Sequence, residues 1–112
     1  MTIADLKLSY HCSHDRVKRL SAIQQYVGLG EIAYTFPDHR KGTDYEALLT
    51  TTGVFMVKTK DTEEIVTIYV ANFKKTKALF YKNNSRIPKE IKEVIERNHN
   101  LSQEIKTQLD LY

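Results

Sequence analysis

The sequence contains few of the residues that cross-link a chain or interrupt its secondary structure. Its 112 residues include one cysteine, no tryptophan, two prolines and four glycines. A single cysteine excludes an intramolecular disulfide and a zinc site built from several cysteines, so we expect a reducing, cytoplasmic setting. No apolar run is long enough for a secretory signal or a membrane span, and we therefore expect no membrane partner.

The composition is that of one globular domain, which we expect to comprise residues 1–112. Hydrophobic residues make up 41% of the chain and aromatic residues 10%, which suffices for one modest core. The net charge is only +3, but residues 73–98 alone contain eight basic and three acidic residues. Because the field of surface charges decays within about 8 Å at physiological salt, such a local concentration favours binding of a polyanion.

The strongest strand pattern lies in residues 64–73, where β-branched and aromatic residues dominate. Both faces of this segment are mostly apolar, which predicts a central strand covered on each side. Alternating patterns predict strands at residues 31–36 and 44–50, an imperfect alternation predicts a short first strand at residues 3–10, and a further strand is predicted at residues 54–59. Pro37 is expected to end the strand at residues 31–36, and residues 38–43 to form a polar loop. Short turns between consecutive strands predict an antiparallel meander.

Helical patterns flank these strands. Ser13 is a suitable N-cap for a helix that reaches about Val27 and stops at Gly28. Pro88 suits the first turn of a helix that ends near Asn98, and Ser102 can cap a last one. Residues 72–81 are ambiguous, and we favour an edge strand over a short helix. The order predicts an α+β fold: a four- to five-stranded, mainly antiparallel sheet (meander) with an N-terminal helix and one or two C-terminal helices packed on it.

A first group of chemically active residues lies at the predicted start of the first helix. His14 lies among cations, which disfavour its charged form and keep a neutral base available. Arg16 and Arg19 share a helical face and are candidates for phosphate contacts. The cluster also contains His11 and Cys12, but their spacing matches no structural zinc pattern, so we predict no metal. The alternative is a solvated helix start with incidental histidines.

Two further basic segments are candidates for nucleic-acid binding. Arg40 and Lys41 lie in a loop that could approach phosphate, and His39 beside them is a candidate acid or base. The alternative for this segment is an ordinary exposed turn. The second segment contains Lys74, Lys75 and Lys77, with Tyr81 close by in the sequence. Cations near aromatic rings bind nucleic-acid backbones and stack bases, whereas lysines on an exposed edge strand can also prevent aggregation.

Thr67 and Tyr69 are polar residues on the otherwise apolar strand at residues 64–73. A catalytic sheet face has such residues, and so does a core whose hydroxyl groups are hydrogen-bonded. The sequence has no nucleotide-binding glycine-rich loop, nucleophile elbow or carboxylate dyad, so we predict no cofactor.

His14, Arg16 and Arg19 on a helix, followed by a meander ending in the strand with Thr67, form a pattern across residues 8–81. In this pattern the chain resembles short phage and mobile-element proteins of the barnase–colicin–RelE group of metal-independent ribonucleases. The resemblance implies RNA cleavage through the ribose 2′-hydroxyl, with a base and with cations that stabilise the phosphate. The chain departs from that group because no acid–base pair is evident beyond the histidines. Its Lys, Ile, Asn and Tyr content also resembles that of AT-rich bacteria of the Firmicutes type, or their phages.

Three functions remain from these observations. The first is a small basic binding module that contacts RNA or a nucleoprotein. The second is a metal-independent endoribonuclease, and the third is a phage-encoded inhibitor that binds a host or defence protein. The first requires that the three cationic segments, which are far apart in sequence, meet on one side of the folded sheet.

Overall fold

The computed structural model describes residues 2–15 and 17–111 and confirms the α+β fold. Four strands form a sheet in the order β1-β2-β3-β4, with every neighbouring pair antiparallel. The strands are β1 (Ile32–Arg40), β2 (Thr43–Thr50), β3 (Val54–Thr59) and β4 (Ile65–Val70). The helices are α1 (Tyr10–Asp15), α2 (Val17–Ala22), α3 (Phe73–Lys82), α4 (Lys89–His99) and α5 (Gln103–Gln108). Within the described residues, none of these helices is long and apolar enough to cross a membrane.

The sheet separates two apolar cores. Leu48, Met56 and Ile68 point to one face, where they pack with Leu20 and Ile23 from the N-terminal helical region. Neighbouring strand residues point to the other face and pack against α3 and α4; they include Leu49 and Phe55, which meet Phe80, Ile91 and Ile95. The apolar character of both strand faces follows directly, because each face is covered by helices.

The prediction that residues 64–73 form the central strand is wrong. The strand is shorter, and β4 lies at the edge of the four-stranded sheet. Helices on both sheet faces make an edge strand as apolar as a central one, so the pattern cannot give lateral position. The open edge is partly paired by the N-terminal segment: the Ser9 N–H donates to the Ile65 carbonyl at 2.9 Å, and the Ile65 N–H donates to the Lys7 carbonyl at 2.8 Å.

The N-terminal segment differs from its prediction in two respects. The expected strand at residues 3–10 is a 3₁₀ turn at Ile3–Asp5 followed by a single parallel bridge between Leu8 and Ile65. The helix cap is Ser9 and not Ser13, because the Ser9 Oγ accepts a hydrogen bond from the Cys12 N–H at 3.1 Å. A π-helical turn at Ile23–Val27 ends the helical region, and Gly28 stops it with a φ of 78° as predicted.

Pro37 does not end its strand, and residues 38–40 are not a loop. β1 pairs only with β2, and Pro37 lies opposite Glu46 in that pairing. An edge strand tolerates proline because one side of its backbone needs no sheet partner. The two strands are joined at Lys41 and Gly42, with φ values of 48° and 81°, as a tight two-residue hairpin requires. His39 and Arg40 therefore lie on a strand.

Residues 73–82 form helix α3 and not the favoured edge strand. Asn72 caps the helix, since its Oδ1 accepts a hydrogen bond from the Lys75 N–H at 2.8 Å. Thr76 and Phe80 are buried at a spacing of one helical turn. The Phe80 ring packs edge-on against Phe36 of β1, with 4.8 Å between ring centroids. This contact fixes α3 across the sheet, with its lysines facing outwards.

The last two helices agree with their predictions. In α4, Ile91, Val94 and Ile95 are buried, and its charged residues lie on the exposed face. The Ser102 Oγ caps α5 by accepting from the Ile105 N–H at 3.4 Å. Leu109, just after α5, is buried on the other side of the sheet from α4. The C-terminal segment thus completes the core that the N-terminal helices begin.

Candidate functional site

A cavity of about 520 Å³ opens at the β4 edge of the sheet, where elements from both faces meet. Three cationic side chains line it, and each comes from a different predicted basic segment. They are Arg19 of α2, Arg40 of β1 and Lys75 of α3. The remaining lining residues are Tyr69, Val70, Asn72, Leu109, Asp110 and Leu111. We refer to this feature as the cationic cavity.

Arg40 reaches the cavity although β1 lies at the opposite edge of the sheet. Arg40 and Tyr69 both line the cavity, and the charge of the Arg40 guanidinium acts to lower the pKa of the Tyr69 hydroxyl, so the two side chains are close in space. β2 and β3 separate the two strands, and the β1–β2 hairpin must therefore bend over the sheet face. Long two-stranded ribbons twist strongly, which permits such a bend.

Carboxylates hold both arginines. Arg19 is only 15% exposed; its Nη2 lies 2.7 Å from Asp110 Oδ2, and its Nη1 donates to the Ile68 carbonyl at 3.2 Å. The Arg40 Nε donates to Asp38 Oδ2 at 2.8 Å. Lys75 is exposed. Three cations against two carboxylates leave the cavity and its immediate surroundings with one net positive charge.

Tyr69 supplies a hydroxyl group to the same cavity. Burial raises the pKa of this hydroxyl above its ordinary value, and the Arg40 guanidinium acts in the opposite direction. The ring stacks on Phe55, with 5.5 Å between centroids, which fixes its position. A tyrosine with a raised pKa keeps its proton at neutral pH and can donate a hydrogen bond to an anion.

The start of α3 also opens into the cationic cavity, because its cap residue Asn72 lines it. The N-terminus of a helix carries a partial positive charge and unpaired N–H groups. Together with Lys75 in the first turn, it adds to the positive potential there. The cavity therefore suits an anion of small charge with several hydrogen-bond acceptors.

A second cleft, of about 660 Å³, adjoins the cationic cavity and shares Asn72, Lys75 and Leu111 with it. We refer to it as the basic cleft. Phe73 of α3 and Ile95 of α4 line it, and so do four lysines. These lysines are Lys74, Lys75, Lys92 and Lys106. The two depressions form one continuous basic surface around the start of α3.

The predicted nucleic-acid contacts are distributed unevenly over this surface. Arg19, Arg40 and Lys75 meet in the cationic cavity, and Lys74 lines the basic cleft. Lys77 is exposed on α3, and Lys41 lies in the hairpin turn away from both depressions. Arg16 lies outside the described residues.

The three candidate catalytic residues do not share a cavity. His14 lines a third depression, of about 840 Å³, which shares Arg19 and Asp110 with the cationic cavity. The His14 ring stacks on Tyr10, with 4.0 Å between ring centroids. His39 is exposed on the hairpin, where its Nδ1 lies 2.7 Å from Asp44 Oδ1. This hydrogen bond lowers the pKa of the Asp44 carboxyl below its ordinary value. Thr67 is half-buried on β4, opposite Val57 of β3.

No group of three or more histidine, cysteine or carboxylate side chains within the described part of the chain could hold a metal ion. The groups that the cationic cavity does present are cations and a hydroxyl group, which can hydrogen-bond to an anion.

Several residues of the site escape sequence reasoning. Asp38 lies two residues before Arg40, so an extended strand through Pro37 would have placed both on one face. Tyr69 lies on the same strand face as Thr67, and the sequence favours a core position for its side chain over a place in a catalytic site. Asp110, Lys92 and Lys106 carry no local signal, since only the packing of the C-terminal helices brings them here.

Comparison of the chain with protein-family models, with curated proteins and with solved structures finds no match in any of the three.

Proposed function

We propose that the chain is an RNA-binding module in which the cationic cavity holds one phosphate of the RNA backbone. The observation that carries this proposal is the meeting of Arg19, Arg40 and Lys75, from three distant segments, in one cavity. The single net positive charge left there suits a phosphodiester, which carries one negative charge. Arginine and tyrosine donors are suited to its oxygens.

The lysines of α3 extend this surface beyond one phosphate. Lys74 lines the adjoining basic cleft and Lys77 is exposed on the same helix, which contains no acidic residue. Neighbouring phosphates along the strand would contact these side chains. Together with the one phosphate in the cationic cavity, they would give three phosphate contacts.

The salt dependence of RNA binding tests this proposal. For single strands, log K falls with log salt with a slope of about −0.7 for each phosphate contact, so three contacts give a slope of about −2. Affinity for a labelled RNA of about 12 nucleotides should therefore fall roughly 20-fold between about 50 and 200 mM salt. Lys75→Gln should weaken binding and make the slope shallower by about 0.7 to 1.

Lys89→Gln is the matched control, because it removes the same charge from an exposed side chain that lines neither depression. Its slope should remain that of the unaltered chain. A flat salt response, or equal effects of the two substitutions, would contradict the proposal. Keeping the RNA in EDTA and examining it on a gel tests the catalytic alternative, since cleavage that His14→Ala or His39→Ala abolishes would favour an endoribonuclease.

A further inference from the structure

Phe73 gives the basic cleft an aromatic wall. Phe73 is 45% exposed although it begins a well-packed helix. Across the cleft lie Ile95 of α4, which is buried, and Leu111, which is half-buried. The Lys77 Nζ lies over the Phe73 ring, 5.8 Å from its centroid. An exposed aromatic ring beside an apolar floor and cations is the arrangement that stacks nucleobases.

We propose that the basic cleft receives one unpaired nucleobase, stacked on Phe73, when the cationic cavity holds the neighbouring phosphate. This inference depends on the proposed function and adds to it a class of substrate, single-stranded RNA. The two depressions share Lys75 and Asn72, so a phosphate in one and a base in the other belong to adjoining parts of a nucleotide chain. The volume of about 660 Å³ is that of a small-molecule site.

Charge favours a nucleic acid over a protein segment as the occupant. Four lysines surround the cleft against one carboxylate, that of Glu96. An apolar peptide would gain nothing from these lysines, whereas each phosphate of an RNA strand can pair with one. A duplex cannot present an isolated base to the cleft because its bases are paired and stacked.

The test measures the affinity of two probes for the unaltered chain and for its variants. The first probe is a labelled single-stranded RNA of about 12 nucleotides, and the second is inorganic polyphosphate, which has the backbone charge but no bases. Phe73→Ala should lower the affinity for the RNA about 5- to 150-fold, the loss found for one base-stacking ring. Its affinity for polyphosphate should be unchanged. Phe73→Trp should restore RNA binding, because its ring also stacks.

Tyr81→Ala is the control, since it also removes an aromatic ring from α3. Tyr81 is 82% exposed and lies outside the basic cleft. It should change RNA affinity less than about twofold. A duplex of the same sequence should bind more weakly than the single strand. Circular dichroism of each variant confirms that α3 is folded.

Each other outcome overturns the inference. Unchanged RNA affinity in Phe73→Ala, with a steep salt response, would remove the base site and leave the proposed function standing. Equal loss on RNA and polyphosphate would mean that Phe73 only positions the lysines. Equal loss in Tyr81→Ala would assign stacking to the outer face of the helix. If the unaltered chain binds neither probe, the proposed function fails as well.

Discussion

At the scale of single residues, Arg19 and Arg40 are each held by a carboxylate, Asp110 in one case and Asp38 in the other. A guanidinium that is already oriented loses less side-chain entropy when it binds a phosphate. The carboxylates also neutralise much of the charge, so the exposed Lys75 supplies the excess. The sequence identified these three cations, but it could not identify Asp110, which lies 91 residues from Arg19.

Tyr69 should make stability depend on alkaline pH. Its pKa is raised in the folded chain, so the unfolded state loses this proton first as pH rises. The stabilisation is complete below about pH 10, the ordinary tyrosine value, and is lost as pH rises towards the folded pKa. Denaturant unfolding between about pH 9 and 11 should show a steeper loss in the unaltered chain than in Tyr69→Phe.

Tyr81→Phe provides the comparison for this pH experiment, because the Tyr81 side chain is almost fully exposed. It should retain the steep loss of the unaltered chain. If Tyr69→Phe and Tyr81→Phe followed the same curve, Tyr69 would not be the group responsible.

At the scale of elements, patterns with a strict period predicted well. The buried stripe of α4 is predicted correctly because burial on a helix repeats every third or fourth residue. The β3 strand is predicted correctly as a short apolar run between two turns, and its first four residues are all buried. Helix α3 was missed because four lysines dilute its apolar stripe to Thr76, Leu79 and Phe80. Asn72 is the residue that indicates this helix, since an asparagine just before residues with helical spacing is a typical N-cap.

The Asn72 cap should contribute measurably to stability. Asn72→Ala removes the acceptor of the Lys75 N–H and should lower the free energy of unfolding by about 1 kcal/mol, or Tm by about 4 °C. Asn72→Asp should keep the stability, because a carboxylate also accepts this bond.

Asn100→Ala is the matched control for the cap experiment. Asn100 follows α4 and is exposed, and its backbone N–H makes the terminal hydrogen bonds of that helix. Thermal unfolding of this variant should stay within about 0.5 kcal/mol of the unaltered chain. A comparable loss in both variants would argue against capping by Asn72.

At the scale of the whole molecule, the position of the cationic cavity depends on how the sheet bends. Arg40 reaches Tyr69 only because the β1–β2 hairpin folds over the sheet face. Periodicity gives the face of each strand but not its curvature, so the sequence could state the meeting of the basic segments only as a hypothesis. The same limit applies to β4, whose edge position follows from the strand order and not from its residues.

The Arg19–Asp110 pair joins the N-terminal helices to the C-terminal segment, and its removal should have opposite effects on stability and on binding. Asp110→Asn removes an ion pair in which Asp110 is 51% exposed. The free energy of unfolding should therefore fall by at most about 1 kcal/mol. Asparagine tolerates the positive φ of 62° at this position. The cavity gains one positive charge, and the salt slope of RNA binding should become steeper by about 0.7.

Asp61→Asn makes the same change in net charge in the exposed turn between β3 and β4. It should leave both the stability and the salt slope unaltered. An identical increase in RNA affinity for the two variants, measured at low and high salt, would show that total charge and not the cationic cavity governs binding.

The bridge between residues 7–9 and Ile65 has a consequence for synthesis on the ribosome. Lys7 and Ser9 emerge early, but the backbone groups that they pair with belong to a strand made more than fifty residues later. Until then α1, which contains the fully buried Cys12, lacks β4, the strand against which it packs in the finished fold. Residues 7–15 are therefore translated well before they can reach their final place, and nascent chains cut short before residue 65 would expose the Cys12 thiol.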